Sequence, residues 1–524
     1  MLILYHANIY TQYPEKPRAT AIAIEMNRII AVGNDDELLS LANSKSIKQN
    51  MEGMTIWPGL TDSHIHLENY ALGLGRVECE TETHEECIKR VAEQASKTLP
   101  GAWIIGWGWN HNAWGGKYGN AEELDKAAPA NPVFLTHKSG HSAWVNSSAL
   151  KLANITSSTN DPEGGHILKD INDQPTGILL ETASSLVERV IPESKINEIE
   201  AAILSAQDKL LRFGITCIHD FDQTNCFKAL QNLNNQEKLK LRVVKSIPMD
   251  CMQSAINAGL HTGFGNNFLR IGSVKLFSDG ALGPQTAAMI NDYEGQPGNK
   301  GILLMDSDQV FDLGRKAIQN GLSLAIHAIG DQANRAVIDG YERLRIFEQT
   351  NHLPHLRHRI EHVQLLEPSD FGRLAKFDLI ASVQPIHATS DIFIADKHWG
   401  ERAAGAYAFR TLLDHKTILT FGSDAPVESP NPFLGIHACV TRKRPNGQPG
   451  INGWYPNQRL SLHEALNGYT TGSAFTAGTE NRTGKIKAGY LADVILFKTD
   501  PFTLPSDELH SLLPYATMVN GQWY

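Results

Sequence analysis

Eight short apolar, β-branched runs separated by helical or loop segments constrain this chain more than any other feature. They occupy residues 60–66, 214–220, 241–247, 271–277, 322–327, 358–363, 379–384 and 417–424. Runs that alternate with helical segments build parallel βαβ units, and eight such units close a (β/α)8 TIM barrel. The intervening segments suit that reading. Residues 194–213 have helical spacing and stop at Gly214, and Ser461-Leu462-His463-Glu464 reads as a capping box whose helix ends near Gly478.

One interval is too long for a plain connection. Residues 75 to 195, after the first run, hold two further strand-like stretches, at 103–109 and 132–137, and are expected to form an inserted subdomain. An insertion there belongs to the C-terminal face of a barrel and is expected to roof its mouth. Trp107 and Trp109 then either line a pocket or pack the insert's own core. The chain ends read differently. Residues 19–33 form two β-prone runs around Glu25-Met26-Asn27-Arg28, a hairpin signal, and 492–497 and 516–524 repeat the character. Neither end can bury a sheet face alone. We therefore expect one small composite β-sandwich domain from 1–58 and 482–524, beside a barrel spanning 59–481.

Composition excludes several functions. A net charge of −10 without a long basic stripe argues against nucleic acid or an anionic membrane as partner. The run Arg442-Lys443-Arg444 reads as a solvated loop, as do His352, His355 and His358. Met1–Tyr5 is apolar only briefly, and no stretch has the length of a membrane span. The six cysteines form no C-x-x-C pair, which points to reduced thiols and a cytoplasmic protein. A small-molecule substrate and a homo-oligomer complete these expectations.

Chemistry-bearing residues gather at one end of the predicted strands. His64 and His66 alternate on the first, so both project to one face. Lys275 lies late in the fourth run, His327 ends the fifth, His362 lies near the end of the sixth, and Asp424 ends the eighth. Any one of them alone is more simply a bonded structural residue. Six metal-type groups at the catalytic end of five strands point to a site.

Those residues sit in stretches that resemble the amidohydrolase superfamily, in its YtcJ-like branch, amidohydrolase family 3. The matching stretches are Pro58 to His66, Val274 to Gly283, Ile326 to Asp331, Arg359 to His362, Gly422 to Val427 and Gly484 to Asp493. Leu124-Asp125 and Gly140 to Ser147 match within the insert. The resemblance implies hydrolysis of a C–N bond of amide or N-formyl type. Deamination or cyclic-amide opening is the alternative reaction, and a non-catalytic scaffold the alternative class.

The resemblance also implies roles. His64 and His66 would bind a buried metal, and His327 and His362 a more exposed one. Lys275, carboxylated by CO2, would bridge two Zn²⁺ ions. Asp424 would bind the buried metal and move the proton of the attacking water. The alternative for Lys275 is an ordinary salt bridge to Asp279. Trp109, His137, His141, Asp279 and Gln384 are candidate substrate contacts, and Asp62 and Glu361 candidate supports for the metal-bound imidazoles.

Overall fold

The computed structural model describes every residue except Gly140, so that part of one matching stretch lies outside the described residues. Eight parallel strands form one sheet. They are β1 (Leu60–Ile65), β2 (Ile215–Asp220), β3 (Arg242–Pro248), β4 (Leu269–Phe277), β5 (Leu324–Ala328), β6 (Arg359–His362), β7 (Ile380–Val383) and β8 (Ile418–Phe421). Their order follows the sequence, each pairing with the next. Each of the eight expected runs supplies one strand.

The sheet nearly closes between β8 and β1. Contact there comes from residues at the end of β1 and beyond the end of β8: Asp424 N donates to His64 O at 2.7 Å, and His66 N donates to Ala425 O at 2.9 Å. Gly422 permits the approach, because a Cβ at that position would lie 2.4 Å from His64 N. The barrel's closure thus brings residues 64, 66 and 424 together. The capping box at Ser461 forms, and its helix, Leu462–Tyr469, breaks at Thr470 before a second helix, Thr471–Thr476.

The two chain ends meet in one sheet. Val494–Phe497 pairs antiparallel with Thr55–Pro58 and with Ala516–Val519, while Asn8–Tyr10 pairs parallel to Thr55–Pro58. A second sheet contains the hairpin Ala21–Glu25 and Arg28–Gly33, with Leu2–Tyr5 and Ile47–Asn50. Leu4, Ile22 and Ile24 share an apolar core with Ile56, Val494, Leu496 and Met518. No helix among the described residues is long and apolar enough to cross a membrane.

Residues Met1–Ala71 and Ile199–Tyr524 form one compact unit, and Leu72–Glu198 form another. The second has a six-stranded sheet that includes Ile104–Trp109 parallel to Val133–His137. Its core packs Trp109 and Trp144 against Leu124, Leu135 and Ile178.

One residue in each of two expected solvated stretches is corrected here, while His352 and His355 are exposed as expected. Arg442 is fully buried, lies over Phe409 and Trp454, and donates to the carbonyls of Tyr407 and Trp454. His358 is equally buried, between Leu324 N and Glu348 Oε1. Their polar character misled because both are paired inside the fold.

Candidate metal centre

At the C-terminal end of β1, His64 is buried and His66 stands just past the strand. His64 Nε2 and His66 Nε2 each lie 3.4 Å from the same oxygen, Asp424 Oδ1. One ligand-type atom each from His64, His362 and Asp424 falls within 4.8 Å of the others. The His64 and His362 rings are 5.0 Å apart, and the His362 and His327 rings 4.5 Å.

Three histidines are held by the same nitrogen. His64 Nδ1 lies 2.6 Å from Glu361 Oε2, His66 Nδ1 3.2 Å from Asp222 Oδ1, and His362 Nδ1 2.8 Å from Gln384 Oε1. A proton on Nδ1 satisfies each acceptor and leaves the Nε2 lone pair available to a cation. His327 reverses the pattern, since its Nε2 donates to Gly280 O at 2.8 Å and its Nδ1 is left over.

The electrostatics suit a positive ion. Burial, with Lys275 adding to it, pushes His64 down to about 4, and burial does the same to His327. His362 is held well below the usual range by burial and by His327. These rings are neutral Lewis bases. Asp424 stays well below the usual carboxylate range, because its hydrogen bond with the charged His66 outweighs its burial. His66 departs from the others. Burial opposes its charge, but Asp222 and Asp424 outweigh that and raise it to about 9. Two carboxylates that draw a proton onto His66 would equally accept a cation in that proton's place. Neutral imidazoles and a carboxylate are the donor set that Zn²⁺ prefers, so the residues fit a divalent metal.

Lys275 is buried under the rings of Phe221 and Phe277, 4.8 and 4.9 Å from its Nζ. Burial lowers it to about 8. Among the described residues it has no ion pair, and Asp279 is spent elsewhere. The Asp279 carboxylate accepts the backbone N–H groups of Ala288, Ile329 and Gly330, and burial raises it to about 7. Asp279 therefore braces a loop; the salt bridge weighed for Lys275 is absent.

The supporting residues divide. Glu361 does orient His64, and Arg359 bonds both of its oxygens and holds it ionised against its own burial. Asp62 touches no imidazole; it accepts from His64 N, Ser423 N and Ser423 Oγ, tying β1 to the segment after β8. Asp222, which sequence reading did not single out, holds His66 and accepts from Glu68 N and Asn69 Nδ2. Lys245 steadies it by pairing with Asp220 at 2.9 Å and donating to Asp222 O. Asp220-Phe221-Asp222, which starts on the last residue of the second run, was the available signal.

Of the other expected contacts, Gln384 grips His362. Trp109 is fully buried and donates to Leu135 O, the core-packing alternative. His137 bonds Ser139 Oγ and approaches His111, and His141 is exposed beside Glu181.

A sequence model of the amidohydrolase family matches residues 49–523. The chain belongs to the amidohydrolase family. It is 31% identical to the putative amidohydrolase YtcJ of Bacillus subtilis (strain 168), over 100% of this chain and 99% of that one. It is 27% identical to the N-substituted formamide deformylase of Arthrobacter pascens, over 99% and 97% of the two chains. The crystal structure of an uncharacterized metal-dependent hydrolase from Pyrococcus furiosus superposes with a TM-score of 0.80 at 28% identity, covering 96% of this chain and all of that one. The chain is thus YtcJ-like and a hydrolase of the metal-dependent type.

Proposed function

We propose that this amidohydrolase hydrolyses an amide or N-formyl C–N bond in a small molecule, at a centre of two Zn²⁺ ions. The observation that carries the reading is the convergence of His64 Nε2 and His66 Nε2 on one Asp424 oxygen, with each Nδ1 anchored behind it. The likeness to the formamide deformylase supports the bond type. His64, His66 and Asp424 would hold one ion, and His327 and His362 the other. Bound metal supplies Lewis acidity, which makes a water acidic and a carbonyl electrophilic.

The chain's own groups do the rest. Glu361, Asp222 and Gln384 fix the ring orientations and keep each proton on Nδ1. Asp424, ionised, takes a proton from the attacking water at its carboxylate and returns one to the departing nitrogen. The water oxygen bonds to the carbonyl carbon, the C–N bond breaks, and acid and amine leave. Burial lowers Lys275 to about 8 and so raises the share of neutral amine near pH 7, and that neutral amine would add CO2 at Nζ, forming an N–C bond and releasing one proton. The resulting anion offers two oxygens where the ammonium offered none.

We assign residues 1–58 and 482–524 to a β-sandwich domain, and 59–481 to the barrel with its insert. A cytoplasmic location and a homo-oligomeric state belong to the same proposal. The test is a turnover screen of the zinc-loaded protein on N-formyl and N-acyl amines against cyclic amides and aminated heterocycles. Hydrolysis of the acyclic amides is expected; turnover confined to ring substrates would replace this reading.

A further inference from the structure

The foot of the barrel, at the opposite end of the strands from the metal centre, concentrates positive charge. Cys217, Arg242 and Arg270 stand near the starts of β2, β3 and β4, where Cys217 pairs with Arg242 and Arg270 with Val244 in the parallel ladder. The segment after the helix Thr471–Thr476 brings Thr479, Arg482 and Thr483 to the same place. These six residues line one cavity of about 20 Å³. One water needs about 10–15 Å³, so the space takes a single small occupant.

Three guanidiniums meet there, and one has an anionic partner. Arg242 Nε and Nη2 donate to the two Asp493 oxygens at 2.6 and 2.8 Å. Asp493 is spent on that pair and on Asn520 N, 2.8 Å away. Arg270 donates from Nη2 to Gly263 O at 2.9 Å, while its Nε and Nη1 are buried with no partner. Arg482 donates from Nη1 to a neutral acceptor, Asn267 Oδ1, at 3.2 Å. Glu480, two residues before it, is engaged by Arg357 through both oxygens. Among the described residues, no carboxylate lines the cavity.

Three guanidiniums against one carboxylate leave a double positive charge, and such charges repel most where water is scarce. Arg482 registers this, since burial, Arg242 and Arg28 together hold it below the usual arginine range. The thiol brings no relief, because burial pushes Cys217 up to about 12 and leaves it neutral. Buried guanidinium N–H groups are ordinarily bonded, and their bonds to anions are the strong ones. A water could accept from Arg270 but would leave the charge in place. A single-atom anion answers the charge, the free N–H groups and the size together.

We infer that this cavity binds one halide ion, with chloride as the natural occupant, held by the Arg270 and Arg482 guanidiniums beside the Arg242–Asp493 pair. The ion ties β4 to the segment that leads into the sheet where the two chain ends meet. Its role is structural and independent of the hydrolytic chemistry at the other end of the barrel.

The test is thermal unfolding of the full-length protein in sodium chloride, bromide and gluconate at equal ionic strength, with crystals grown in bromide as a second readout. Gluconate is far too large for the cavity. Chloride and bromide should raise the melting temperature over gluconate, saturably, by about 2 °C. Arg270→Met and, separately, Arg482→Gln should abolish that difference, whereas a general salt effect would act on the variants as on the wild type. Bromide anomalous scattering should give a peak between Arg270 and Arg482. Equal melting in the three salts, a halide response retained by either folded variant, or an anomalous map empty at this cavity would overturn the site.

Discussion

The barrel mouth holds four neighbouring histidines and the inserted unit three, yet only the mouth's set is backed for holding an ion. In the mouth, His64, His66 and His362 are anchored at Nδ1 by Glu361, Asp222 and Gln384. In the insert, His137 meets a serine hydroxyl and His111, and His141 meets a carboxylate on the open surface. The difference lies in what stands behind each ring. A buried carboxylate or amide at Nδ1 fixes the tautomer and aims the other nitrogen, while a hydroxyl or solvent does neither.

The largest effect that separates the two regions is expected at Asp424. Asp424→Asn should fold normally and lose about 10²–10⁴-fold in kcat, the usual contribution of a proton-transferring group. Circular dichroism with steady-state kinetics checks it, and full activity would remove the proton role. In the insert the matching loss is structural. Trp109→Ala should cost about 3–5 kcal/mol of stability through the cavity it leaves, read by denaturant unfolding. A loss of activity from Trp109→Ala in protein that remains fully folded would instead restore it as a substrate contact.

Glu361→Gln tests the anchoring itself. It keeps an acceptor near His64 but removes the charge that Arg359 pairs with, so zinc affinity should fall about 10–100-fold. A competitive chelator titration measures this, and unchanged affinity would show that the anchor is dispensable.

The smallest effect is a pH dependence confined to the insert. Burial, then His111 and His141, holds His137 below its ordinary value. Its unfolded form therefore binds a proton more readily than its folded form. Stability should fall as pH drops from about 6.5 through the lowered folded value, and be level above that range. His137→Gln should flatten this acid slope in thermal melts between pH 7 and 4; an unaltered slope assigns it elsewhere.

Much of this was legible in the chain. Each barrel strand announced itself because a strand buried on both faces needs a β-branched run, and closure then required residues 64, 66, 327, 362 and 424 to meet at one end. The hairpin at Glu25–Arg28 and the capping box at Ser461 were local signals and formed locally. What escaped was set by distant partners. Asp222 lies 156 residues from His66, and no spacing rule links them. Arg442 and His358 looked solvated because charge suggests exposure, whereas carbonyls take two of the Arg442 nitrogens and Glu348 pairs with His358 inside. Asp279 looked like a ligand-facing acid until three backbone amides claimed it.

The central claim is that the mouth's histidines hold metal and the insert's do not. Its most direct measurement is zinc per chain, by elemental analysis after reconstitution and desalting, for the wild type, His362→Ala and His137→Ala. The account predicts two ions for the wild type, two for His137→Ala, and a loss of at least one for His362→Ala. Less than one ion in the wild type, or a loss at His137 equal to that at His362, would contradict it.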